Sequence, residues 1–134
     1  MAFVLVKMDD SSYPPIVNDK LMADNEAPAF GEGLVESSGR LTKCGATATP
    51  EYIALAGWAA EATSVTNLPC IRVSEMQMYE VKSSATVATS VIGSKVTLDS
   101  NALLCTATTS SGVFYVDYTD GATTNSTVRG HFRR

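Results

Sequence analysis

Along the chain, apolar residues recur at alternate positions in short runs. Gly, Pro, Asp, Asn and Ser separate those runs. That period of two with frequent turn signals predicts strands rather than helices. Residues 2–8 (Ala-Phe-Val-Leu-Val-Lys-Met) are extended by propensity and stop at Asp9-Asp10-Ser11-Ser12. Tyr13-Pro14-Pro15-Ile16-Val17 follows, where two prolines fix φ and exclude helix. Residues 1–17 therefore read as an extended N-terminal arm with a stiff elbow, and residues 18–134 as one β-rich domain. The apolar residues 1–8 need a cover, either a neighbouring subunit or capsid surface, toward which Pro14-Pro15 would project them, or the chain's own sheet as an ordinary edge strand. Gly33-Leu-Val-Glu-Ser-Ser-Gly-Arg-Leu-Thr-Lys43 carries a hairpin signal at Ser37-Ser38-Gly39, with Gly39 free to take a positive φ. Residues 50–63 are ambiguous. Thr49 and Pro50 suit a helix start, whereas Tyr52-Ile-Ala-Leu55 suits a buried strand.

Pro69–Val73 predicts a strand whose phase is lost near Ser74–Met76, with a continuation over Met78–Val81. Ser94–Asp99 alternates with Val96 and Leu98 inward, and Ser100-Asn101 turns into residues 102–108. Gly112–Thr119 is the strongest strand and ends at the Asp120-Gly121 turn. Ser126–Arg133 is the last. About eight short strands at regular spacing predict a small β-barrel or sandwich.

Composition agrees. Ser, Thr and Val supply 14, 15 and 13 of the 134 residues, and Thr and Val favour strands. A chain of 14.2 kDa should fold with about 6,800 Å² of surface against about 20,600 Å² unfolded, enough burial for one core. The net charge of −4 excludes an electrostatic nucleic-acid binder. The longest apolar run, Tyr52–Ala60, is too short to span a bilayer. No basic stretch precedes Phe3-Val-Leu-Val6 and no apolar run of signal length follows, so synthesis in the cytoplasm is expected. Cys44, Cys70 and Cys105 lack any C-x-x-C spacing and read as three buried or half-buried thiols in a reducing compartment, with one disulfide plus a free thiol as the alternative.

Catalytic chemistry is not indicated. There is no G-x-S-x-G and no P-loop, and Gly31-Glu-Gly33 is a lone G-x-G. His131 is the single histidine and reads as an exposed strand residue, and Asp9-Asp10 reads as a solvated turn. No enzyme activity, metal, cofactor, nucleic acid or membrane partner is expected. Asn125-Ser126-Thr127 matches a glycosylation sequon by chance. Two features stand out. One is the apolar arm. The other is the last strand, where Thr127, Arg129, His131 and Arg133 share one face. Residues 81–134 carry +2, whereas residues 1–80 carry −6. A charged terminal strand either resists edge pairing or meets another subunit.

Several segments, in order, resemble one family. They are Phe3-Val-Leu-Val-Lys-Met-Asp-Asp10 with Tyr13-Pro-Pro15, Gly31-Glu-Gly-Leu-Val-Glu-Ser-Ser-Gly-Arg-Leu-Thr-Lys43, and Thr49-Pro-Glu-Tyr-Ile-Ala-Leu55. Further along come Gly93-Ser-Lys-Val-Thr-Leu98, Thr106–Phe114 and Val128-Arg-Gly-His-Phe132. Together they look like the capsid decoration (cement, head-stabilisation) proteins of tailed bacteriophages. The resemblance implies a β-tulip or small β-barrel, assembly as a homotrimer, and the major capsid protein as partner on the outside of the virion. It also favours strand over helix at Tyr52–Leu55. The expected capsid or intersubunit contacts are Phe3, Val4, Leu5, Val6, Lys7, Met8, Tyr13, Pro14, Pro15, Arg129, His131 and Arg133. A second possibility is a small β-sandwich that binds host glycans through exposed aromatics such as Trp58, Tyr115 or Tyr118.

Overall fold

The computed structural model describes residues 2–133. Among them lie ten strands: β1 (Val4–Met8), β2 (Ile16–Lys20), β3 (Gly33–Ser37), β4 (Arg40–Lys43), β5 (Tyr52–Ala54), β6 (Leu68–Arg72), β7 (Gln77–Lys82), β8 (Lys95–Val96), β9 (Phe114–Thr119) and β10 (Thr127–His131). A single 3₁₀ turn covers Thr89–Val91. The strands form two antiparallel five-stranded sheets, ordered β1-β7-β10-β9-β8 and β2-β6-β5-β3-β4. The all-β expectation holds, but the architecture is two open sheets rather than a closed barrel, and the strand number exceeds eight. The accessible surface of 6371 Å² is close to that expected for the chain's mass.

The hairpin expected at residues 33–43 forms as β3–β4. Its register closes at Ser37↔Arg40, and Ser38 and Gly39 both take positive φ (52° and 78°). This is the two-residue turn whose twist matches the strands it joins. Val96 and Leu98 are buried as expected. Residues 102–108 form no named strand, and Cys105 makes only isolated bridges to Ser83 and Leu98. All three cysteines are free and buried. Burial pushes their thiols up, Cys44 and Cys105 to about 12 and Cys70 to about 11.

Residues 50–63 contain no helix. β5 is buried at all three positions. Ile53 joins the core between the sheets, whereas Tyr52 and Ala54 join a second core on the far side of their own sheet. Only a strand sends neighbouring residues to opposite faces, so burial on both sides overrides the Thr49-Pro50 helix signal. The second core also holds Met22, Leu34, Leu41, Leu68 and Cys70, with Trp58 packed against it. Segments 21–30 and 56–66 cover it, tied together by Asn25 N–H to Glu61 O (2.8 Å) and Trp58 N–H to Pro28 O (3.3 Å).

The expectation of a projecting arm over residues 1–17 is corrected. β1 is the edge strand of the first sheet, paired with β7, and β2 pairs with β6 in the second. Phe3 is fully buried. Its ring lies 5.4 Å from Phe114 and 4.9 Å from Phe132, and Phe132 in turn touches Tyr79. The driving force is apolar burial: an unpaired Phe-Val-Leu-Val strand exposes surface that β7 and the aromatic cluster remove from water. Gly130 makes room for this cluster. A Cβ there would stand 3.0 Å from the Phe114 ring and 2.0 Å from the Tyr115 carbonyl oxygen.

Candidate interaction surface

The outer face of the first sheet is read from the strand register. Val4 lies beside Glu80, Glu80 beside Arg129, and Arg129 beside Tyr118. Cross-strand partners share a face, so these four residues form a row on the side away from the aromatic cluster. Arg129 Nε donates to Glu80 Oε2 at 2.8 Å, and its guanidinium stands 5.4 Å from the Tyr118 ring centre. The pair is solvent-exposed and contributes little to stability. At the β1 end of the row, Ala2, Val4, Phe30 and Val81 line a groove of about 430 Å³ together with Glu80, Lys82 and Thr127.

Two bulges shape the rest of this face. In β1 the register shifts between Leu5 and Lys7, leaving Val6 as the extra residue. The bulge reverses the alternation beyond it. Without it Asp9 would follow Leu5 toward the core; with it Asp9 follows Lys7 outward. In β9 the register shifts between Val116 and Tyr118, leaving Asp117 as the extra residue. Thr119 is thereby turned inward, where it is buried and its hydroxyl donates to Val87 O at 2.8 Å.

Asp9 and Asp117 meet at His131. The imidazole is fully buried. Its Nε2 is 2.9 Å from Asp9 Oδ2, and its Nδ1 is hydrogen-bonded to Asp117 Oδ2. Ionised carboxylates only accept, so the imidazolium, donating from both nitrogens, is the form that satisfies both partners. The cluster ties the end of β1 to β9 and β10 across the sheet. The expectation of an exposed His131 is corrected; Asp9 does lie in an exposed turn, and from there it reaches the His131 ring. Asp10 does remain in a turn, accepting from Ser12 N–H and Oγ at 3.0 and 2.6 Å, and these bonds hold its carboxyl below the usual range. The two carboxylates address opposite ring nitrogens and do not converge on one point. Among the described residues no group of three or more His, Cys, Asp or Glu is placed to hold a metal ion.

The expected contact residues thus divide. Val4 and Val6 are 45% exposed, and Tyr13 is 96% exposed. Lys7, Arg129 and Arg133 are also exposed, and Leu5, Met8, Pro14 and Pro15 are half-buried. Phe3 and His131 belong to the interior and offer no contact surface. Of the aromatics considered for glycan binding, Tyr118 is exposed, whereas Tyr115 and Trp58 are half-buried.

One buried group lies outside this face. Glu32, just before β3, is 2% exposed, and its Oε1 has no hydrogen-bond partner. Burial raises its carboxyl above the ordinary value, against smaller opposing effects of the Ala29 backbone and the Lys43 charge. A carboxyl with a raised folded-state value binds its proton more tightly folded than unfolded. Its contribution therefore favours folding in acid and is lost as pH rises through the raised value. Glu32→Gln removes that loss. It is expected to stabilise the protein by about 1 kcal/mol at pH 7 and by nothing below the unfolded carboxylate range. Urea midpoints across pH check this, and a variant no more stable than the parent at pH 7 would show that Glu32 carries no such strain.

Compared with family models, curated proteins and solved structures, the chain matches none. Among the described residues no helix is long and apolar enough to cross a membrane.

Proposed function

We propose that the chain is a structural virion protein of a tailed bacteriophage that binds the outside of the assembled head and stabilises the major-capsid lattice, acting as a homotrimer and without catalytic activity. The observation that carries the proposal is the exposed apolar edge of the first sheet, Val4 and Val6 on β1 with Tyr13 beyond it, on a scaffold whose single histidine is locked in an internal ion pair. Soluble monomers keep such edges covered or charged. A rigid two-sheet body with an apolar edge and a flanking Arg129–Glu80–Tyr118 row suits a clamp that recognises a protein lattice. Binding only the assembled lattice stabilises it by mass action, and several copies per symmetry axis add avidity. The order of the resembling segments along nearly the whole chain is the second support.

The test is co-sedimentation with expanded heads built from the major capsid protein encoded beside this chain's gene. Wild-type protein is expected in the pellet with heads and in the supernatant with unassembled capsid subunits. Replacing Arg129 and Arg133 with Ser is expected to weaken binding about threefold to tenfold and to flatten its salt dependence, as loss of rim charges does. Protein that stays in the supernatant with heads, or a gene neighbourhood without a capsid protein, would end this proposal.

A further inference from the structure

The outer face of the first sheet holds more than the Val4–Glu80–Arg129–Tyr118 row. Lys7 lies beside Met78, and Lys82 beside Thr127. His131 lies beside Tyr115, and Tyr115 beside Lys95. Cross-strand partners share a face, so Lys7, Lys82 and Lys95 stand with Glu80, Arg129 and His131. Tyr79, Val81, Phe114 and Val116 point the other way, into the core between the sheets. Arg133 is exposed one step beyond Phe132, whose ring belongs to the aromatic cluster. Five of the chain's ten Lys and Arg residues thus gather on one face of a protein whose net charge is −4.

The acids on this face are already used. Glu80 accepts from Arg129 Nε at 2.8 Å, and Asp9 and Asp117 both bond the His131 ring. Asp120, on the turn after β9, accepts from Ala122 N–H and Thr127 N–H, each at 3.0 Å. Lys7, Lys82, Lys95 and Arg133 form no ion pair among the described residues, and Lys82 donates to the Thr127 hydroxyl at 2.5 Å. Lys7 on β1 and Lys95 on β8 mark the two edges of the sheet, about 19 Å apart at the usual strand spacing.

The surrounding charge selects the partner. The rest of the chain carries five Lys and Arg against eleven Asp and Glu, which repels a long polyanion, and Glu80 holds a negative charge in the middle of the face. A local acidic patch on another protein meets the free cations without running over the acidic remainder. Tyr118, 45% exposed in the same row, is a residue type enriched at protein contacts. We propose that this face docks an acidic patch of another protein through Lys7, Lys82, Lys95 and Arg133, set around the Arg129–Glu80 pair. The inference rests on the head-binding reading above and gives the capsid side of that contact its chemistry, carboxylates spread across the width of the sheet. His131 sustains the face from beneath, because its cation holds the Asp9 and Asp117 charges that otherwise offset the lysines.

The experiment compares Lys7→Glu and Lys95→Glu, at opposite edges of the face, with Arg72→Glu. Arg72 is an exposed position on β6 of the second sheet, where the same substitution makes the same change in net charge. Unchanged thermal midpoints confirm the fold. Binding is measured over a salt series to expanded heads by co-sedimentation and to immobilised poly-glutamate, with immobilised single-stranded DNA as the competing polyanion. On heads and on poly-glutamate, each lysine variant is expected to bind on the order of tenfold more weakly than wild type, with a shallower salt dependence, and Arg72→Glu within about twofold of wild type. Lysine variants that bind heads like wild type, or an Arg72→Glu loss as large as theirs, would overturn the docking face and leave the head-binding reading standing. Wild type that ignores heads yet shows the expected ranking on poly-glutamate would end the head-binding reading and support the face. Wild type held by neither, or held more tightly by DNA than by poly-glutamate, would overturn the face as a site for acidic protein.

Discussion

Phe3→Ala is expected to lower folding stability by about 3–5 kcal/mol, seen as a reduced urea midpoint at unchanged m. Phe3 is 1% exposed and contacts Phe114 and Phe132, so truncation empties the centre of an aromatic cluster. Rigid neighbours limit relaxation. A Cβ added at Gly130 would stand only 3.0 Å from the Phe114 ring, and the β9–β10 backbone beside it is fixed by the sheet. Removing residues 2–8 altogether should prevent folding of the first sheet, because β7 then loses one of its two partners along with Phe3. A truncated chain that melts like the parent would restore the view of residues 1–17 as an independent arm.

The second large effect is expected at His131. His131→Leu keeps the apolar volume but leaves Asp9 and Asp117 without their shared cation. Their side chains are 29% and 18% exposed, so water relieves part of the penalty. The cost is expected at about 2–3 kcal/mol, below the 3–5 typical of a fully buried broken pair. Adding Asp9→Asn and Asp117→Asn to His131→Leu should recover most of that loss, because the stranded charges are then gone. Chemical denaturation of the single and triple variants gives the coupling directly. If His131→Leu is neutral, the cluster does not hold β1 to the sheet.

Parts of this structure were legible in the residues alone. Ser38-Gly39 between two apolar-bearing runs was sufficient for the β3–β4 hairpin, since few residues accept two successive positive φ values. Gly112–Thr119 stood out as the strongest strand and Ser94–Asp99 by its alternation. The His131 cluster did not, for a specific reason. Strict alternation places His131 beside Arg129 and Arg133 on a solvent face and sends Asp9 elsewhere, and only the one-residue bulge at Val6 brings Asp9 round. A bulge leaves no composition signal, so parity counted along β1 fails beyond it. A single His and singly spread carboxylates were visible, but the pairing of His131 with Asp9 across 122 residues was not. The projecting arm was preferred to the edge strand that the chain in fact forms, because Pro14-Pro15 marks a stiff spacer equally well whether the preceding strand projects or turns back. The helix signal at Thr49-Pro50 failed because local capping contributes about 1 kcal/mol, less than burying Tyr52 and Ile53 on opposite faces.

The strand order of the first sheet also bears on how the protein is made. β10 is last in sequence but third of five in space, between β7 and β9. During vectorial synthesis the ribosome releases β1 and β7 long before β10, so the nascent chain holds a two-stranded ribbon with one long open edge. Phe3 waits without Phe132 for the same interval. Such pairings between distant segments fold slowly, and at translation rates of roughly 5–20 residues per second the exposed ribbon persists for seconds. The second sheet has no such delay, since β2 to β6 are all complete by Arg72. The nascent polypeptide therefore can complete the second sheet first, and the row of the first sheet through Arg129 and Tyr118 closes only when β10 enters between β7 and β9.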